Sequence, residues 1–182
     1  MKITILFFLG LIAFSQAIAQ ATGNLTPNIL RVNIIAPGIG YELSLTERAK
    51  LAANAGLTVG GVFSDLTVVQ PDIAFLIVPF FDLTYRNIYN LKRNKERGRS
   101  TMNNAGHYFG TRLMVRGNNF NEEVIRTSRS DFSFGPIWGV QGYIGRYNFD
   151  FNLGPIYYLD TKGNGGFSAS LGFTIGYNLL TH

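Results

Sequence analysis

Cysteine is absent from the chain, histidine occurs only twice, and 15% of the residues are charged. The missing cysteine removes both disulfide cross-links and thiolate metal sites, so the fold must be held by other means. With His107 and His182 as its only imidazoles, the sequence offers no His/Cys/carboxylate set at metal-ligand spacing and no serine paired with an evident base. Long hydrophobic runs are missing beyond the amino terminus. The most apolar later stretch, Ile73 to Phe81, falls far short of the roughly 18 residues of a membrane-spanning helix and is broken by Pro79. No glycine loop followed by Lys and Ser/Thr is present to cradle a phosphate. Neither a bound cofactor nor a metal is expected.

What is present begins with Lys2, an apolar run from Ile3 to Phe14 and a small-residue site at Ala17-Ile18-Ala19. This pattern predicts a signal peptide over residues 1–19, cleaved before Gln20, and one domain over 20–182. The formal charge of +5 becomes +4 without Lys2, 15 basic residues against 11 acidic. That balance carries no nucleic-acid signature.

Glycine (21), phenylalanine (15) and tyrosine (9) are abundant, and the apolar residues alternate with small or polar ones. Phe167, Ala169, Leu171, Phe173, Ile175, Tyr177 and Leu179 share one phase, opposite Ser168, Ser170, Gly172, Thr174, Gly176 and Asn178. Successive side chains on a strand point to opposite faces, so one face is wholly apolar and the other small and polar. Tyr147 to Leu159 and Phe132 to Ile144 repeat the pattern, with further strands expected near 105–117, 73–91 and 50–62. The Ala36-Pro37-Gly38 turn signal divides Arg31–Thr46 into two short strands. The expectation is an all-β fold, an eight-stranded antiparallel up-and-down transmembrane β-barrel, in keeping with the even strand number of single-chain bacterial barrels. Short turns near Thr46 and Gly145 would face the periplasm, with polar loops at 118–130 and 160–166 outside. Outward aromatics would form two girdles: Phe75, Phe132, Tyr157 and Phe167 at the outer border, and Tyr85, Tyr89, Tyr147 and Tyr177 at the inner one.

The inward phase holds Arg31, Glu42, Asp82, Arg86, Arg112, Arg116 and Asp150. Four cations and three anions in an interior just wide enough for side chains predict a charge network that fills it. The basic run Lys92, Arg93, Lys95, Arg97 and Arg99 falls in a periplasmic turn, where it would be solvated or meet anionic lipid head groups. Arg126 and Arg129 beside Glu122 and Glu123 give the outer loop mixed charge.

The terminal segment Ser170-Leu171-Gly172-Phe173-Thr174-Ile175-Gly176-Tyr177 resembles the carboxy-terminal signal read by the outer-membrane barrel assembly machinery, with Ser170, Gly172, Ile175 and Tyr177 at the specified positions. That signal usually ends at the aromatic residue, whereas this chain runs five residues further. The domain also resembles small outer-membrane barrels with the architecture of the barrel domain of outer-membrane protein A. Val32 to Ile35, Tyr41 to Ala49 and Pro79 to Arg86 carry that likeness.

The resemblance implies the barrel fold and a place in the outer membrane of a Gram-negative bacterium; the expected partners are its lipids, lipopolysaccharide and the assembly machinery, with no nucleic acid and a monomeric state. The expected role is structural, anchoring or surface-interacting rather than enzymatic. A narrow ion or small-solute channel is the alternative, and lipid A modification a minor one. Against the latter, His107 sits near the periplasmic border, away from Ser128, Ser130 and Ser133 on the external side.

Overall fold

The computed structural model describes residues 27–59, 66–68, 77–118, 120, 124–126 and 128–181. The expected signal peptide, Phe75, Glu122 and Glu123 lie outside the described residues. Alternation of apolar and polar side chains produces β1 (Ile29–Asn33), β2 (Gly38–Ser44), β3 (Ala49–Val59), β5 (Ile77–Ile88), β6 (Gly106–Arg116), β8 (Asp131–Ile144), β9 (Tyr147–Asp160) and β10 (Gly165–Thr181). These eight pair antiparallel with their neighbours, and β10 returns to β1 to close the ring. Two short strands, β4 (Leu66–Val68) and β7 (Val124–Arg126), pair with each other outside it.

Strand boundaries follow the sequence pattern closely. The strand expected at 73–91 is described over Ile77–Ile88, and the one expected at 50–62 over Ala49–Val59; residues 73–76 and 60–62 lie outside the described residues. The Arg31–Thr46 stretch does divide, at a turn over residues 34–37 in which Ala36 adopts a φ of 55°. A two-residue turn joins β8 to β9, with Gly145 at φ 60° supplying the left-handed backbone such a hairpin needs. The basic run forms a helix rather than a plain turn: α1 (Leu91–Glu96) pins Leu91 into the ring while its charged residues stay exposed.

Register fixes the shape. Stepping across the sheet from Arg31 leads through Gly40, Asn54, Asp82, Met114, Ser133 and Tyr158 to Gly166, yet β10 pairs Arg31 with Asn178, an offset of 12 residues. Spread over eight strands at about 3.3 Å per residue and 4.8 Å between strands, this tilts them by about 45°. Each residue then adds about 2.3 Å of height along the ring axis.

All eight strands start at nearly one level, at the end holding Pro27, Thr181, the 45–48 and 145–146 turns and the 89–105 connection. At the far end six strands rise about 25 Å above that level, but the β1–β2 hairpin stops after about 15 Å.

Candidate functional site

Interior side chains are those on the polar phase of each strand, and the structure brings all seven sequence-predicted charges inside. Arg31 donates to Glu42 at 3.0 Å and to Asn148 at 2.7 Å; Arg86 reaches Glu42 at 3.3 Å and Asp150 at 3.1 Å. Arg112 pairs with Asp82, and Arg116 with Asp131 at 2.7 Å. Glu42 is fully buried and also accepts from Asn104 Nδ2 at 2.6 Å. Asn104 sits in the 3₁₀ turn Met102–Asn104, so the near-end connection reaches into the ring to satisfy a strand carboxylate. The Tyr108 hydroxyl lies 3.1 Å from both Asp150 oxygens, and the Arg86 guanidinium stacks 4.8 Å above its ring.

Among the interior charges that sequence reading missed are Lys50 and Asp131. Lys50 is wholly buried, donating to Ser44 Oγ at 3.0 Å and the Thr46 carbonyl at 2.9 Å. Both residues stand at strand ends, where an ionisable residue reads as belonging to the turn; only the phase, extended by one residue, marks them as inward.

The near half of the interior is therefore filled. Ile88, Leu91, Tyr108 and Ile137 form a buried apolar cluster beside the network. The far half is not filled: a cavity of about 560 Å³ lies there, bordered by Asn54, Asp82, Arg112, Arg116, Tyr158 and Ser170.

The outer face is apolar and banded by aromatic residues. Phe134, Tyr157 and Phe167 stack in sequence at 5.8 and 5.1 Å towards the far end. Tyr89, His107 and Trp138 cluster towards the near end, with Trp138 Nε1 donating to Tyr89 Oη at 3.1 Å, and Tyr147 meets Tyr177 edge-on at 5.4 Å. His107 is an outward ring among aromatics, distant from Ser128 and Ser133 at the far end.

Within the terminal strand, Ser170 and Gly172 face inward while Ile175 and Tyr177 face outward. A Cβ at Gly172 would meet the Asn152 side-chain amide at 2.5 Å, so a larger residue there would have to displace Asn152. In the basic run, Lys95 pairs with Glu47 of the β2–β3 turn, and Lys92 stands 3.9 Å from Glu96. The hydrogen bond and charge of Lys95 hold the Glu47 carboxyl below the usual range. Arg93 and Arg99 are exposed beside them. At the far end, Asp160 accepts from Asn164 Nδ2 at 2.8 Å and from the Lys162 and Asn164 amides, which lowers its pKa.

Among the described residues no group of three His, Asp or Glu is placed to hold a metal. No protein-family model, curated protein or solved structure matches the chain.

Proposed function

We propose that the chain is an exported outer-membrane β-barrel whose filled near half makes it a membrane-embedded scaffold, with its interactions carried by the exposed ends. The observation that carries this reading is the inversion of polarity across one sheet. Large apolar side chains such as Phe81, Phe109, Phe134, Leu171 and Phe173 stand exposed outside, while Glu42, Lys50 and Asp150 are buried inside. In water the exposed band would be a large aggregation liability; in a bilayer it is the lipid contact, and up to the tip of the β1–β2 hairpin the closed ladder satisfies the backbone. Its height of about 25 Å fits the apolar belt of such barrels.

Filling of the near half argues against the channel alternative, since ions would have to displace the Arg31–Glu42–Arg86–Asp150 chain and the cluster around Tyr108. Lipid A modification has no support from His107, which lies among outward aromatics. Ser170, Gly172, Ile175 and Tyr177 would serve recognition by the assembly machinery, and Lys92 to Arg99 would face the periplasm near anionic head groups.

The test is fractionation combined with conductance. The protein should sediment with outer membranes and resist urea extraction, and the purified protein should leave a planar bilayer electrically silent. Recovery as a water-soluble periplasmic protein would overturn the membrane reading, whereas stepwise conductance would replace the scaffold with a channel.

A further inference from the structure

Wall height is uneven in one place only among the described residues: above the β1–β2 hairpin, between β10 and β3. Asn33 pairs with Gly176, and Ile34 and Ile35 both donate to the Ile175 carbonyl; beyond that point, among the described residues, β10 continues to Gly165 with β9 on one side alone. In an antiparallel ladder, alternate residues direct both backbone groups to the same neighbour. Asn178 donates towards β9, at Arg146, and the Ile175 carbonyl accepts from β1. Odd-numbered residues therefore address the β1 side. The N–H and C=O groups of Phe167, Ala169, Leu171 and Phe173 consequently open into a notch two strands wide.

The hairpin tip that floors this notch has the wrong chemistry for water. Ile34, Ile35, Ala36 and Pro37 carry no polar side chain, whereas the β9–β10 turn at the same end reads Thr-Lys-Gly-Asn. An apolar tip about 15 Å above the near end belongs inside a hydrocarbon layer, not at its border. Immediately behind the notch lies the 560 Å³ cavity, which reaches Asn33, Ile35 and Ala36 at its floor and Ser168, Ser170 and Thr174 along β10. Apolar groups thus face the bilayer side and polar ones the interior.

Open strand edges are not tolerated in hydrocarbon unless water or a polar group meets them. Two guanidinium groups border the cavity, each already against a carboxylate: Arg112 on Asp82 and Arg116 on Asp131. Arg112 gives Nε to Asp82 and Nη1 to Asn152 at 3.4 Å, which leaves its second terminal nitrogen without a partner among the described residues. An oxyanion is the natural complement. The cavity is also roomier than a bare carboxylate requires.

From this arrangement, and resting on the membrane reading above, we propose that the notch is a lateral port. A membrane phospholipid places its anionic phosphate head in the far-end cavity through it, its acyl chain remaining in the bilayer over Ile35, Leu171 and Phe173. The phosphate meets the spare terminal nitrogen of Arg112, and the head group supplies hydrogen-bonding partners to the β10 edge.

Amide hydrogen exchange by NMR, on the full domain refolded in a neutral detergent, reads the port directly. Phe167, Ala169, Leu171 and Phe173 should exchange about a hundredfold faster than Ser168, Ser170, Gly172 and Thr174. Adding lysophosphatidylglycerol should slow the odd-numbered amides at least about tenfold, and Ser170→Trp, which fills the cavity behind them, should abolish that slowing. Equal protection of all eight amides before lipid is added would show the edge already covered and overturn the port. Alternating exchange that lysophosphatidylglycerol does not alter would overturn the lipid site, and equal slowing by myristate would overturn the phosphate assignment. Native mass spectrometry supplies a second readout if Ser170→Trp misfolds: wild-type protein should retain one lysophosphatidylglycerol and release myristate, and retention of neither lipid would overturn the site. Failure of the membrane reading is separately visible, because the protein would then stay soluble without detergent.

Discussion

Replacing Glu42 with Gln tests whether the interior network holds the barrel together. The carboxylate is fully buried and is the shared acceptor for Arg31 at 3.0 Å, Arg86 at 3.3 Å and Asn104 at 2.6 Å. Neutralising it leaves Arg31 with Asn148 alone and sets two guanidinium groups in one low-dielectric space with Asp150 as the nearest anion. Breaking a buried pair by removing one partner costs about 3–5 kcal/mol, because the surviving charge stays desolvated. Glu42→Gln should fall in that range despite its near-identical volume. Urea unfolding in lipid vesicles, followed by the fluorescence of Trp138, the only tryptophan, provides the assay. At an m-value of about 2 kcal/mol/M the midpoint should drop by about 2 M. Adding Arg31→Met to the variant should recover part of the loss by removing the orphaned cation. A loss below about 1 kcal/mol would refute the reasoning and mean that the interior is hydrated enough to screen its charges.

Gly139→Ala would place a Cβ 2.3 Å from the Tyr108 ring; the same unfolding assay should show a loss of about 1–3 kcal/mol, and unchanged stability would contradict the packing. Lys95→Ala, which breaks an exposed pair with Glu47, should leave the midpoint where it was, since surface pairs contribute little. The Asp160 carboxyl is held below its usual pKa by Asn164 and neighbouring amides, so its contribution to the β9–β10 turn is present above the unfolded-state pKa and lost as pH falls through the lowered value. Amide exchange at Lys162 and Asn164 should accelerate on acidification through that range, and exchange that tracked the intrinsic pH dependence alone would argue against the turn contact.

Much of this architecture was legible because a strand's side-chain period is two. Once the phase of Phe167 to Leu179 is set, inward Arg31, Glu42, Asp82, Arg86, Arg112, Arg116 and Asp150 follow from the same rule applied to each strand. Lys50 and Asp131 escaped because strand ends are where pattern and turn chemistry overlap. Helix α1 covers six residues, too short for helical periodicity to show, and Asn104 enters the network through a local backbone conformation, with a φ of 66°, that no spacing rule reveals. The notch is a different case. Strand phase says nothing about how high each strand rises, since height depends on the 12-residue offset around the ring and on which residues pair. Its single sequence trace is the apolar turn Ile34-Ile35-Ala36-Pro37, in contrast to the polar far-end loops at 118–130 and 160–166.

Everything rests on the apolar outer band meeting lipid, and electrophoretic mobility in dodecyl sulfate before and after boiling tests that most directly. The membrane-extracted protein should run as a compact species unheated and shift to the mobility of a chain of its mass once boiled, with lipid vesicles sufficient to restore the compact form after refolding. A single mobility at both temperatures, together with full solubility in detergent-free buffer, would contradict the account.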